Sequence, residues 1–143
     1  MSEQENVQIV KEAYAAFMRG DIPAILNTLA DSVVWFLPGP TDVIPVAGER
    51  RGREQVEEFF SILDETQEAQ QFEPQEFIAQ AEKVVVQGHY RWRIKSTGRE
   101  AASDWVHVFT FRDGKVVEFR EYYDTAAVAE AYRETSAQAA QTT

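Results

Sequence analysis

Cysteine is missing from all 143 residues, which removes a disulfide framework, a thiolate nucleophile and any cysteine-based metal site. Histidine occurs only twice, a thin basis for a metal centre, and no His/Asp/Glu set shows metal-ligand spacing. Basic residues are outnumbered, 14 Lys and Arg against 24 Asp and Glu for a net charge of −10. Nucleic acids and anionic membranes, whose phosphates demand a basic surface, are therefore not expected partners. No apolar run approaches the roughly 18 residues needed to span a bilayer, and the opening MSEQENVQ is too acidic and polar for a secretory signal. The expected setting is the cytoplasm. Neither a phosphate-binding glycine loop nor a nucleophile elbow is present.

What the chain does have is apolar mass, 44% hydrophobic and 12% aromatic residues, ample for one core at this length. One domain over residues 1–134 is expected, with 135–143 a disordered tail. Ser2-x-x-Glu5 is a capping-box pattern, and Val7, Val10, Tyr14, Phe17 and Met18 follow at helical spacing up to Gly20. Asp21 then caps a short second helix with Pro23 in its first turn. Val33–Leu37 reads as a brief strand, and Pro38–Gly52, which holds Pro40, Pro45 and Gly48, as a long loop fit to act as a lid. A third helix is predicted over Arg53–Asp64 and a solvated loop over Glu65–Gln71. Strands follow at Phe72–Gln80, Lys83–Lys95, Ala102–Phe111 and Lys115–Asp124, and a last helix at Ala126–Glu134. Helices first and consecutive hairpins after them indicate an α+β fold with a mostly antiparallel sheet over the helices. A curved sheet this rich in large aromatics leaves an apolar cavity of the kind small ligands use.

The stretch WVHVFTFRDGKVVEFREYYDT, Trp105–Thr125, carries ionisable groups among alternating aromatics. Its turn sets the chemistry, because a slip of one residue moves every side chain to the other face. A two-residue Asp113-Gly114 loop pairs Arg112 with Lys115 and gives His107 the company of Arg120 and Tyr122. A three-residue Arg112-Asp113-Gly114 loop pairs Phe111 with Lys115. It places Trp105, His107, Phe109 and Phe111 beside Val117, Phe119, Glu121 and Tyr123. The second register is preferred because it gathers the aromatics on one face, with His107 diagonal to Glu121.

Helix-Gly-Asp, then Trp35-Phe36-Leu37-Pro38-Gly39, Gly48 and Gly52 before a Phe-Phe helix, Thr97-Gly98-Arg99, and FRDGKVVEFREYYDT together resemble the SnoaL-like domains of the nuclear-transport-factor-2-like, ketosteroid-isomerase-like superfamily. The resemblance runs to about Arg133. It implies a cone: a strongly bent, mostly antiparallel sheet around three helices, a short C-terminal helix, a pocket at one end, and homodimers packed through the outer sheet face. The aromatic lining favours a small apolar or aromatic ligand, and no cofactor is expected. Activity does not follow from the fold. The ketosteroid isomerase base aligns with Leu37, which cannot accept a proton; the tyrosine donor falls nearest Ala13, one step from Tyr14, and the protonated-Asp position on His107. The epoxide hydrolase Arg, Asp and Asp align with Tyr90, Trp92 and Glu121. The SnoaL-type cyclases, with a histidine on the penultimate strand and an acid on the last, match His107 and Glu121.

Glu121 is thus the candidate acid/base, a carboxylate withdrawn from water and able to exchange a proton with a carbon acid. The competing reading pairs it with Arg or turns it to solvent. His107 is the candidate hydrogen-bonding partner, donating to a developing enolate or orienting Glu121; the competing reading is a satisfied core histidine. Tyr14, Trp35, Leu37, Phe59, Tyr90, Trp92, Trp105, Phe119 and Tyr123 are the expected cavity lining, with Tyr14 and Tyr123 available to a ligand oxygen. The expected reaction is a cofactor-independent proton transfer of cyclase, isomerase or dehydratase type. The alternative is a non-catalytic ligand-binding or dimerisation module.

Overall fold

The computed structural model describes residues 2–133; the expected tail lies outside them. The first helix, α1 (Glu3–Met18), begins with the capping box formed in full: the Glu5 amide donates to the Ser2 hydroxyl and the Glu5 carboxylate accepts from the Ser2 amide. The short α2 (Ile22–Leu26) starts at Asp21, whose carboxylate accepts from the Ala24 amide. Strand β1 (Leu29–Leu37) follows, then β2 (Gly48–Arg51) and α3 (Arg53–Thr66). The sheet is completed by β3 (Gln67–Gln80), β4 (Lys83–Ile94), β5 (Glu100–Arg112) and β6 (Lys115–Tyr123), and the described chain closes with α4 (Thr125–Tyr132). Asp124 caps α4 through the Ala127 amide.

The six strands form one curved, unclosed sheet in the order β2-β1-β6-β5-β4-β3. All neighbours are antiparallel except β1 and β6. The fold is the expected α+β cone, with β1 four residues longer at its start than predicted and strand found in two predicted loops. Pro38–Gly52 is not loop throughout, because Gly48–Arg51 pairs with Val34–Leu37 as β2. Gln67–Gln71 is not solvated loop but the start of β3, pairing with Arg91–Ile94. Its polar, glutamine-rich sequence hid a strand because β3 is the sheet edge, where one face meets water and alternation is weak. The same edge position tolerates Pro74 inside the strand, since an edge has a side where no amide is required.

The hairpin between β5 and β6 combines parts of both readings. Asp113 (φ 51°) and Gly114 (φ 77°) make a two-residue turn with Arg112 opposite Lys115, the loop that was not preferred. A bulge then intervenes: Phe111 faces Val116 while Thr110 faces Glu118, so Val117 is the extra residue. Beyond it His107 lies directly opposite Glu121, with Trp105 opposite Tyr123. The inward set is therefore Val116, Phe119, Glu121 and Tyr123, with Val116 and not Val117 buried near the turn. Leaving Val116 and Phe119 both inside requires this bulge, because residues three apart on an ideal strand point to opposite faces.

Candidate functional site

Between the helices and the concave face of the sheet lies a hollow of about 830 Å³, its mouth included, lined almost wholly by apolar and aromatic side chains. Water-sized molecules can centre themselves in about 90 Å³ of it, several times the roughly 10–15 Å³ that one water requires. Its polar groups are few and converge. On α1 the stripe through Val10 and Tyr14 faces inward, and the Tyr14 hydroxyl lies 2.7 Å from Nδ1 of His107 on β5. Nε2 of His107 lies 2.8 Å from Oε1 of Glu121 on β6, and Oε2 of Glu121 accepts from the Tyr90 hydroxyl of β4 at 3.4 Å. Four residues from four elements thus form one chain of hydrogen bonds.

Burial fixes how the protons are arranged. Desolvation, and then the nearby Glu121 charge, push the phenols of Tyr14, Tyr90 and Tyr123 above their ordinary range, so each stays a donor. The Tyr14 hydrogen has no acceptor other than Nδ1 among the described residues, which places the imidazole hydrogen on Nε2, directed at the carboxylate. The side chains of His107 and Glu121 are 6% and 12% exposed, and no Arg or Lys of the described residues reaches Glu121. Its partners are an imidazole and a phenol. The His107 ring stacks on Trp105 at 4.0 Å between centroids and meets the edge of Phe119 at 4.8 Å. Packing on two sides holds its plane.

The expected lining residues Tyr14, Trp35, Leu37, Phe59, Tyr90, Trp92, Phe119 and Tyr123, together with His107 and Glu121, border the hollow. Trp105 does not. It sits behind His107, 1% exposed, stacked on Phe72 at 5.2 Å, over the one glycine of β4. A Cβ on Gly88 would lie 2.6 Å from Trp105 Cε2 and from the Glu73 carbonyl oxygen, so the missing side chain is what admits the indole. A lone glycine inside a strand was the available signal. The hydroxyl hydrogens of Tyr14 and Tyr123 are engaged within the protein, the first at His107 and the second at the Pro38 carbonyl at 2.7 Å, which leaves their oxygens as acceptors. Both ring nitrogens of His107 are engaged as well, Nδ1 by Tyr14 and Nε2 by Glu121.

Several lining groups were not read from the sequence. Ile44 and Val46, fully or nearly buried, bring the segment after β1 into the wall of the hollow. Tyr123 holds that segment at Pro38, while Arg50 donates to the carbonyls of Val46 at 2.7 Å and Pro45 at 3.1 Å. Gln67, whose backbone amide donates to the Leu63 carbonyl at the end of α3, also borders the hollow. Alternating apolar residues in a proline-containing loop, and a glutamine where a helix meets a strand, carry no periodic signal. No cluster of three or more His, Cys, Asp or Glu able to hold a metal occurs among the described residues. Nor is any described helix long and apolar enough to cross a membrane.

The chain is similar in structure to an NTF2-like protein of Burkholderia xenovorans LB400, 43% identical, with 93% of this chain and 99% of that one covered at a TM-score of 0.85. An NTF2-like protein of unknown function from Burkholderia pseudomallei K96243 is 33% identical over 94% and 100% of the two chains, at 0.84. TerC, co-crystallized with polyporic acid, is 29% identical over 91% and 99%, at 0.78. No curated protein sequence matches the chain. Residues 10–119 match the model of the SnoaL-like domain, and with this fold around the His107–Glu121 pair, the chain belongs to the SnoaL-like domain family.

Proposed function

We propose that the chain is a cofactor-independent enzyme that moves a proton on a small apolar or aromatic molecule held in the hollow. The observation that carries this reading is Glu121: a carboxylate 12% exposed, at an aromatic-lined cavity, with no cationic side chain of the described residues beside it. A carboxylate so placed is fit to take a proton from a carbon next to a carbonyl. The carbon–hydrogen electron pair then becomes the enolate, and Glu121 carries the proton as a carboxylic acid. Returning it to another carbon isomerises the substrate or lets it cyclise; passing it to a departing hydroxyl dehydrates it. Tyr90 is the donor for the enolate oxygen, because its 3.4 Å bond to Glu121 is the longest in the chain and the easiest to exchange. His107, clamped by Tyr14 and Trp105, positions the carboxylate.

The co-crystallization of TerC with polyporic acid supports a small-molecule ligand for this hollow. A crystal grown with a flat bicyclic ketone such as 2-tetralone tests the placement. The ketone oxygen is expected at the Tyr90 hydroxyl with an α-carbon beside Glu121. Binding on the outer sheet face, with the hollow empty, would overturn the reading.

Leu37, 4% exposed and bordering the hollow, favours the second reading, a non-catalytic binding module, because an apolar group stands where the resembled isomerases keep their base. Saturable ligand binding with no proton exchange on any carbon acid would select it. We also propose a homodimer through the outer sheet face. Val106 and Val108 are half-buried there, Tyr122 is 46% exposed, and Phe36 lies under the Arg120 guanidinium. Light scattering should return twice the chain mass; a monomer mass at micromolar concentration would refute the dimer.

A further inference from the structure

Gln67 opens β3 directly after α3 and is 6% exposed, yet it borders the hollow. Its amide group donates to the Tyr132 hydroxyl at 2.7 Å. Its carbonyl oxygen has no hydrogen-bond partner among the described residues. Unlike the indole nitrogens of Trp35 and Trp105, that oxygen is not one of the unpaired atoms sealed away from all free space. Gln67 is a lining residue of the hollow, and this amide is one of the few polar groups on its wall. Whichever way the amide is turned, one of its ends is tied to Tyr132 and the other is left unused.

Position makes this unused end informative. Gln67 pairs with Ile94 in the sheet, and Tyr90, whose hydroxyl marks Glu121, lies four residues back on the same inward face of β4. Four residues of strand span roughly 13 Å. Trp92, the inward residue of β4 between Tyr90 and Ile94, is apolar over most of its surface and borders the hollow. We infer that Gln67 is a second polar anchor of the cavity, taking a hydrogen-bonding group at the end of the ligand remote from Glu121. This rests on the proposed function and narrows its substrate to a class: rigid, flat, apolar bodies on the order of 10 Å long with an oxygen function at each end. A molecule polar at one end only leaves the Gln67 amide half unpaired, which penalises it.

The test uses two probes on the intact chain, para-hydroxybiphenyl and para,para′-dihydroxybiphenyl, with dissociation constants measured by calorimetry. Wild type should hold the diol about tenfold more tightly, the equivalent of one net hydrogen bond of about 1.4 kcal/mol. Gln67→Met should reduce that preference to about twofold or less, and Gln67→Glu, which keeps a hydrogen-bonding group there, should retain it. Equal affinities in wild type, no binding of the diol, or an undiminished preference in Gln67→Met would overturn the inference. Should Gln67→Met fail to fold, the wild-type side-chain amide resonance of Gln67 decides: it should move with the diol and not with the mono-ol, and no movement with either refutes the anchor. The mono-ol reports separately on the underlying reading, since its affinity should fall in Glu121→Leu. If it does not, the Glu121 anchor fails while the diol preference still reports on Gln67.

Discussion

Glu121 owes its position to side chains far apart in sequence, and the support furthest from it in the hydrogen-bond chain, Tyr14, is readily tested. Tyr14→Phe removes the hydroxyl from Nδ1 of His107 and leaves a buried acceptor unpaired. The expected cost is about 1–3 kcal/mol in urea unfolding, together with a ring free to turn away from Glu121. The nitrogen resonances of His107 check the second part: they should show the hydrogen on Nε2 in wild type and a mixture in the variant. Gly88→Ala is a packing test of the same site from behind. Its methyl group would meet Trp105 and the Glu73 backbone, so a loss of roughly 1–3 kcal/mol is expected. Thermal unfolding at or above the wild-type midpoint would mean that Trp105 has room the structure does not show.

Among the elements, the hairpin shows what alternation in a sequence conveys and where it stops. Aromatics on one face were enough to bring His107 and Glu121 together, because burying the large rings decides the face. The turn was misread for a reason of energy: Asp113-Gly114 suits the twist of a two-residue turn, and the parity it would otherwise impose is corrected by the Val117 bulge. Neither property is visible as a period. The segment after β1 was legible as a loop but not as a wall of the cavity. Its apolar residues Ile44 and Val46 point inward only because Tyr123 and Arg50 hold the backbone down. Tyr123→Phe should therefore speed amide hydrogen exchange across residues 39–47 while leaving exchange in β4 and β5 unchanged. Unchanged exchange in the segment would show that the clasp at Pro38 contributes nothing to its closure.

For the whole molecule, the cone followed from the family resemblance, while the helix caps and the order of helices before hairpins were readable in the residues. The parallel pairing of β1 with β6 and the polar start of β3 were not, since both depend on contacts between distant segments. The same burial that shapes the cavity makes global stability sensitive to alkali. In the fold, the phenols of Tyr14, Tyr90 and Tyr123 ionise well above their ordinary value. In the unfolded chain they do so near pH 10. Above that pH the unfolded state binds fewer protons than the folded state, so stability falls as pH rises and is unaffected by these groups at neutrality. Each phenol adds a slope of about 1.4 kcal/mol per pH unit. Urea midpoints at increasing pH above 10 should show this fall, and Tyr90→Phe should flatten it.

The central claim is that Glu121 exchanges a proton with a carbon acid in the cavity. It is tested most directly by following the α-protons of 2-tetralone in deuterated water by NMR, with wild type and with Glu121→Gln. Wild type should accelerate deuterium uptake in a saturable way, and Glu121→Gln, with its fold intact by circular dichroism, should lose that acceleration by about 100-fold or more. Equal rates for the two proteins would contradict the account.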